Sequence, residues 1–280
     1  MMEPARIVDR QIWRDVGRSS GGRSIPEETA VALTYNGGTY AVMMATPQDL
    51  EDFAVGFSLS EGVINSPADM DSVDLVRLDD GIEVRMWLGK RKADRLQERR
   101  RYIAGPTGCG LCGVDSISEA MRPATVVGSG RQFSSEQIMT AMRSVSSRQI
   151  LNIETRAVHA AAFWDAAGGI VALREDVGRH NALDKLAGAL ARGSVAAGEG
   201  IILLTSRVSV EMVQKSAVIG ASVMVSVSAP TALAVRMAEA AGITLVAIAR
   251  ADGFEVFTHP GRIRFGSVAA AARLRKGTGS

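Results

Sequence analysis

The stretch GIILLTSRVSVEMVQKSAVIGASVMVSVSAPTALAVRMAEAAGITLVAIA, from Gly200 to Ala249, decides the fold of this chain. Three short runs rich in valine, isoleucine and leucine (GIILLTS, SVMVSVS and ITLVAIA) alternate with two longer segments, the first opening after Ser209, a helix-capping residue type. Strand, helix, strand, helix, strand at this spacing argues a sheet with covering helices. The middle of the stretch, Ser216 to Val235, carries no charge and is nearly long enough to span a bilayer. Its four serines, one threonine, Gly220 and Pro230 fit a helix end, a buried strand and a new helix start instead, so no membrane span is expected.

The same rhythm extends outward. Upstream lie ATVVG, AVHAAAFW and GIVALRE, and downstream FEVFTH, all reading as short strands; Ser134 with Gln137 three residues on marks a helix start. Residues 123–266 are therefore expected to form an α/β domain. Before it the pattern is short and alternating. In TAVALTYNGGTYAVMMA, Asn36-Gly37 marks a hairpin turn, and PQDLEDFAVGFSLSEG reads as a helix with Leu50, Phe53, Ala54 and Phe57 on one face and Gly62 as its stop. Residues 25–122 are expected to form a small α+β domain that ends in a cysteine loop. The polar, glycine-containing residues 1–24 and the small, basic residues 267–280 read as flexible tails.

Of 280 residues, 46% are hydrophobic and 22% charged, the make-up of a globular chain with ample core. Thirty-two lysines and arginines against thirty acidic residues leave a formal charge of +2, which argues against wholesale nucleic-acid binding. The N-terminus MMEPARIVDRQIW lacks the apolar run of a signal peptide, so a cytoplasmic chain with reduced thiols is expected.

The only two cysteines, Cys109 and Cys112, sit in GPTGCGLCGVDS among glycines at 105, 108, 110 and 113. Lowering a thiol pKa from about 8.5 to about 7 needs about 2 kcal/mol of preferential thiolate stabilisation. Two sources are at hand: a helix expected to begin near Ser116 with Glu119 as its box partner, and KRKADRLQERRRY just upstream, with seven basic residues against two acidic. A bendable loop carrying activated thiols suits a sulfur relay. With no second C-x-x-C, a four-cysteine zinc site is excluded within one chain, and a mixed site would have to recruit among His159, His180 and His259. No metal is expected. A dithiol redox pair remains an alternative, and the basic run from Lys90 to Arg101 is either a solvated face or a docking surface.

Two further constellations carry polar chemistry. REDVGRHNALDKL packs Arg174, Glu175, Asp176, Arg179, His180, Asn181, Asp184 and Lys185 into the end of one strand and the start of one helix, where α/β sheets read polar ligands. Arginine and helix amides suit phosphate, and carboxylates suit the amino edge of a purine. In GFEVFTHPGRI, strand alternation sets Phe254 on the face opposite Phe257 and His259. Ser206, Arg207 and Ser209 in TSRVSVEMVQKS either cradle an anion or cap the next helix.

GCGLCG, VHAAAF, REDVGRHNALDKL, SRVSVEMVQKS, VSAPTALAV and FTHPGRI, in this order and with LEDFAVGFSLSEGVI before them, closely resemble the formate dehydrogenase accessory sulfurtransferases of the FdhD/NarQ type, from about Ile25 to about Phe265. The resemblance implies a three-layer αβα second domain like that of cytidine deaminases. It implies a carrier that takes persulfide sulfur from a cysteine desulfurase and passes it to the molybdenum of a bis(molybdopterin guanine dinucleotide) cofactor, with formate dehydrogenase as client. Cys109 matches the family's persulfide carrier and Cys112 its partner. Phe254, Glu255, Val256, Phe257, Thr258 and His259 match the stretch that contacts the cofactor, with Arg174, Asp176, Arg179 and His180 as further candidates. Deamination is not expected, since His159 is followed by alanines where a zinc deaminase needs H-x-E. Arg156 stands ahead of that histidine where a small residue or glycine would be expected. A ligand with two guanine ends suits a two-fold homodimer, the commonest oligomer. The alternative is a cofactor-binding chaperone that moves no sulfur.

Overall fold

The computed structural model describes residues 2–90, 92, 93, 96 and 122–266. Among them are six α-helices: α1 (Leu50–Ser60), α2 (Ser135–Ser146), α3 (Ile150–Thr155), α4 (Arg179–Arg192), α5 (Val210–Ile219) and α6 (Ala232–Ala241). The chain divides into two compact units, and the division is not a single cut at residue 122: Ile150–Ala160 and Arg174–Val195 join Met1–Ala124 in the first unit.

In the first unit the N-terminal residues are not a tail. Strands β1 (Ala5–Arg14) and β2 (Gly17–Pro26) form an antiparallel ribbon, paired residue by residue from Ala5 opposite Pro26 to Arg14 opposite Gly17. Gly17 at φ 126 closes its turn, in a backbone region that only glycine enters without strain. Both ribbon faces are largely exposed, so the sequence shows no alternation of apolar and polar residues to betray a strand.

A four-stranded sheet follows, in the order β4 (Gly38–Ala45), β3 (Thr29–Tyr35), β6 (Gly81–Leu88), β5 (Met70–Leu78). Asn36 and Gly37 both take positive φ, the backbone of a tight hairpin turn, as their dipeptide predicts. Val31, Leu33, Tyr35, Ile82, Val84 and Met86 alternate onto one face and are buried against Leu50, Phe53, Ala54 and Phe57 of α1. Gly62, at φ 68, stops that helix as its sequence predicts.

The helices α1 and α4 cross in backbone contact. A Cβ on Gly56 would lie 1.7 Å from the Asp184 carbonyl oxygen, and one on Gly188 would lie 1.9 Å from that of Asp52. Only glycine fits at either position.

The second unit is built on a six-stranded sheet in the order β13 (Gly253–Val256), β12 (Thr244–Arg250), β11 (Val223–Ser226), β10 (Ile201–Leu204), β8 (His159–Asp165), β9 (Gly169–Asp176). The expected strands of this domain are present except one: residues 124–128, ATVVG, form no strand, and Val127 instead donates its amide to the Ala241 carbonyl at the end of α6. A pair the sequence did not announce, β7 (Phe133–Ser134) with β14 (Ile263–Arg264), joins the two ends of the unit in parallel.

Strands β10, β11 and β12 run parallel, and every residue of β10 and β11 is buried. Ile201, Leu203, Val223, Val225 and Val246 face α2 in one apolar cluster with Phe133 and Trp164. α5 and α6 pack against each other, and the right-handed crossover rule for parallel strands sets both on the face away from α2. Burial on both faces explains the unbroken apolar runs. The fold is α/β, with three layers in the second unit.

Gly56→Ala and Gly188→Ala test the crossing. Alanine in a helix gains about 1 kcal/mol over glycine. The clash with a backbone carbonyl outweighs this, and each variant is expected to lose about 3 kcal/mol or more in urea unfolding.

Candidate functional site

Cys109 and Cys112, the loop glycines, the Ser116–Glu119 helix start and most of the basic run lie outside the described residues. Within that run, Lys92 forms an ion pair with Asp69.

The REDVGRHNALDKL constellation lies in the first unit at the end of β9 and the start of α4. Its interior members face each other. Asp176 is wholly buried and accepts hydrogen bonds from the amides of Thr46 (3.0 Å) and Gly178 (2.7 Å), from Asn181 Nδ2 (3.0 Å) and from Lys185 Nζ, 2.6 Å away. Lys185, also wholly buried, donates in addition to the Thr46 carbonyl at 2.9 Å. Burial pushes the Lys185 ammonium below its ordinary pKa, with Asp176 opposing the shift. The Thr46 hydroxyl accepts from the Val177 amide, so the chain after β4 is laced to the chain after β9 from both sides.

The neighbours serve the same junction. Glu175 caps α3 by accepting from the amides of Leu151 and Asn152, both at 2.8 Å, and burial raises its pKa against the pull of those two bonds. Arg174 pairs with Asp52 of α1 through Nη2 at 2.7 Å, and Arg192 pairs with the same carboxylate at 2.6 Å. Asp184 accepts from Ser60 at 2.7 Å. Asp176 therefore acts inside the scaffold, where it positions the head of α4, while the partly exposed Arg174 ties the end of β9 to α1.

That head carries Arg179 and His180 in its first turn, after Gly178 at the N-cap. Helix N-termini favour anions. The Nε of Arg179 is buried and has no hydrogen-bond partner among the described residues. His159, at the start of β8, lies within its field: burial first, then the charge of Arg179, hold the imidazole below its ordinary pKa, while Asp176 opposes them. The grouping of His159 with Arg179 was not visible in the sequence. Arg156, just ahead of this histidine, adopts φ 60, the left-handed conformation that a glycine takes without strain.

In the second unit, the stretch from Phe254 to Thr258 alternates as expected. Phe254 and Val256 pack against the core cluster, and Phe254 stacks on Phe265 with ring centroids 6.4 Å apart. Thr258 is buried; its hydroxyl donates to the Ile243 carbonyl at 2.7 Å and accepts from the Leu245 amide at 2.9 Å. Glu255 faces out, and Phe257 is 37% exposed. His259 departs from the alternation. At φ 46 the chain turns, and its Nε2 lies 2.9 Å from the Glu239 carbonyl near the end of α6. Sequence reasoning passed over Arg262, whose guanidinium bonds the Gly242 carbonyl at 2.8 Å and the Gly128 carbonyl at 3.2 Å and so ties this segment to the start of the unit.

Ser209 occupies the N-cap position of α5 without a side-chain cap bond, and Arg207 beside it is exposed. Among the described residues no group of three or more metal-ligating side chains is assembled, and no helix is long and apolar enough to cross a membrane.

Two measurements test the junction. Lys185→Met leaves Asp176 buried without its counter-charge and is expected to cost about 3–5 kcal/mol in equilibrium unfolding. Because the folded state holds His159 below its ordinary value of about 6.5, the unfolded chain binds more protons just below that pH, and stability falls as pH drops through this window. His159→Gln is expected to flatten that part of the stability profile.

The FdhD/NarQ family model matches residues 26–264. A sulfur carrier protein FdhD from Agrobacterium fabrum is 49% identical over 259 residues, covering 92% of this chain and 96% of that one. Another, from Cupriavidus necator, is 50% identical over 252 residues, covering 90% and 88%. The crystal structure of a Desulfotalea psychrophila protein assigned as a formate dehydrogenase accessory protein superposes with a TM-score of 0.74 at 25% identity, over 94% of this chain and 100% of that one. With the family model spanning both units and these relatives matching nearly end to end, the chain belongs to the FdhD/NarQ family.

Proposed function

We propose that this chain is a sulfur carrier in formate dehydrogenase maturation. It accepts persulfide sulfur from a cysteine desulfurase on Cys109 and transfers it to the molybdenum of a bis(molybdopterin guanine dinucleotide) cofactor, which is its cargo. The observation that carries this reading is that the family match encloses the chain's only two cysteines, in GCGLCG, while relatives about half identical are named sulfur carrier proteins.

In the first step the Cys109 thiolate attacks the outer sulfur of the donor's persulfide. The sulfur–sulfur bond of the donor breaks, its cysteine leaves as thiolate, and Cys109 becomes the persulfide. Free thiols suit the reducing cytoplasm. Phosphate and guanine contacts fall, in this proposal, to Arg179 and His180 at the head of α4 and to the stretch from Phe254 to His259. The exposed Phe257 offers a ring face, and Arg179 at a helix N-terminus suits phosphate. Asp176 supports the head of α4 from within, and Arg174 ties the end of β9 to α1.

Intact-mass spectrometry after incubation with a cysteine desulfurase and labelled L-cysteine checks the relay. An added sulfur is expected on the unmodified chain and on Cys112→Ala, and absent from Cys109→Ala. No added sulfur on any form, with a competent desulfurase, would replace this reading by that of a cofactor chaperone.

A further inference from the structure

Among the described residues, strand β1 pairs with β2 alone, residue for residue from Ala5 opposite Pro26 to Arg14 opposite Gly17. Edge strands in folded proteins are commonly blunted by a bulge, a proline or shortness. β1 has ten residues, no proline and an unbroken register, so the N–H and C=O groups on its outer edge form a regular row. A two-stranded ribbon alone is marginal in water, and this one is fixed at its base, where Arg23 donates to the Thr155 carbonyl of α3 at 3.1 Å. The family match begins at residue 26, where the ribbon ends, so this edge lies outside the residues that carry the sulfur-carrier reading.

The two faces of the ribbon define what fits that edge. Alternation puts Arg6, Val8, Arg10, Ile12 and Arg14 of β1 on one face, with Arg23 of β2 opposite Val8. This face carries four guanidinium groups and no carboxylate. Arg6 has Glu27 at 3.4 Å, whereas Arg10 and Arg14 form no ion pair among the described residues. The Nε of Arg10 is buried and has no hydrogen-bond partner there. The three arginines of β1 stand four residues apart, a spacing of about 13 Å along a strand. On the opposite face Ile7 and Trp13 are each 77% exposed, with Asp9 and Gln11 between them.

We propose that β1 receives, as a third strand of the ribbon, an extended acidic segment of another protein. The edge supplies main-chain hydrogen bonds, and the alternating faces supply the choice of partner. Carboxylates four residues apart meet Arg6, Arg10 and Arg14 on one face, while two apolar residues meet Ile7 and Trp13 on the other and a cation meets Asp9. Opposite-charge and aromatic–aliphatic cross-strand pairs of this kind stabilise a sheet. A carboxylate fits the guanidinium fork and gives the Nε of Arg10 an acceptor. Nucleic acid or a lipid surface offers anions but no row of N–H and C=O groups at strand spacing. Asp15, beside the 95% exposed Val16 at the ribbon's turn, also opposes insertion into an anionic bilayer. Two β1 edges set together antiparallel about Arg10 would place Arg6 opposite Arg14, like charge against like.

Fluorescence anisotropy of a labelled peptide, EVTTEKTVE, titrated with the full chain tests this. Laid antiparallel to β1 from Arg14 back to Arg6, it sets glutamates opposite Arg14, Arg10 and Arg6, valines opposite Trp13 and Ile7, and its lysine opposite Asp9. Saturable binding that weakens as salt rises is expected. Arg10→Glu with Arg14→Glu is expected to raise the Kd at least about tenfold, and the peptide KVTTKKTVE to restore binding to that variant, which shows that its ribbon is intact. Methylating the peptide nitrogens that face β1 keeps every charge and removes the edge bonds, so it is expected to abolish binding. Equal binding of the methylated peptide, or of a scrambled peptide of the same composition, would reduce the surface to a charge patch and overturn the strand. No binding of EVTTEKTVE, binding of RNA or anionic vesicles in its place, or its displacement by further copies of the chain would overturn the proposal as well. Sulfur loading of Cys109, read by mass, is independent of all these results.

Discussion

The carboxylate of Asp176 is the point on which the first unit turns. It is wholly buried and takes hydrogen bonds from two backbone amides, one side-chain amide and one ammonium. A buried charge left unpaired costs several kcal/mol, whereas one surrounded by donors fixes the groups that surround it. Here those groups come from the turn after β4, the turn after β9 and the first turns of α4. Two segments 130 residues apart in the chain are held by one acceptor, which fixes the head of α4 against the turn after β4.

Around that point the packing is arranged to allow close approach. Gly56 and Gly188 let α1 and α4 meet backbone to backbone, and Arg174 and Arg192 clamp Asp52 on the same helix pair. Residue types that look like ligand-binding candidates in a row of letters, Asp176 and Lys185, thus turn inward to build the frame, and Arg174 pairs with Asp52 beside it. The residues left at the head of the helix are Arg179 and His180, with His159 in the electrostatic field of Arg179. The scaffold consumes charge so that a smaller set can present it.

The second unit solves a different problem with simpler means. Three parallel strands buried on both faces need no polar network, since alternating residues meet α2 on one side and are equally buried on the other. Polar detail gathers where regular pairing ends. The register shifts between Ala247 and Arg250, with Ile248 at φ 52, and His259 leaves the last strand at φ 46. A β-branched residue in the left-handed region is strained, and such strain is held only where surrounding structure over-determines it.

Composition and period alone determined much of this protein. The alternation of apolar runs with capped segments from Gly200 to Ala249 dictates strands and helices because burial on both faces leaves polar residues only at strand ends, as with Ser226 and Thr244. Asn36-Gly37 and Gly62 set a turn and a stop because few residues tolerate positive φ. The family, too, was legible in its motifs. What only the tertiary structure decided rests on contacts between residues distant in sequence. The ribbon of residues 5–26 shows no periodicity because neither face is buried, and the stretch ATVVG, though rich in valine, finds no strand to pair with. The assignment of α4 to the first unit depends on a glycine crossing and on a buried carboxylate one of whose partners, the Thr46 amide, lies 130 residues away. Local sequence carries propensity, but which charge is buried as an internal tie and which is left to meet a ligand is settled only when those distant segments close on each other.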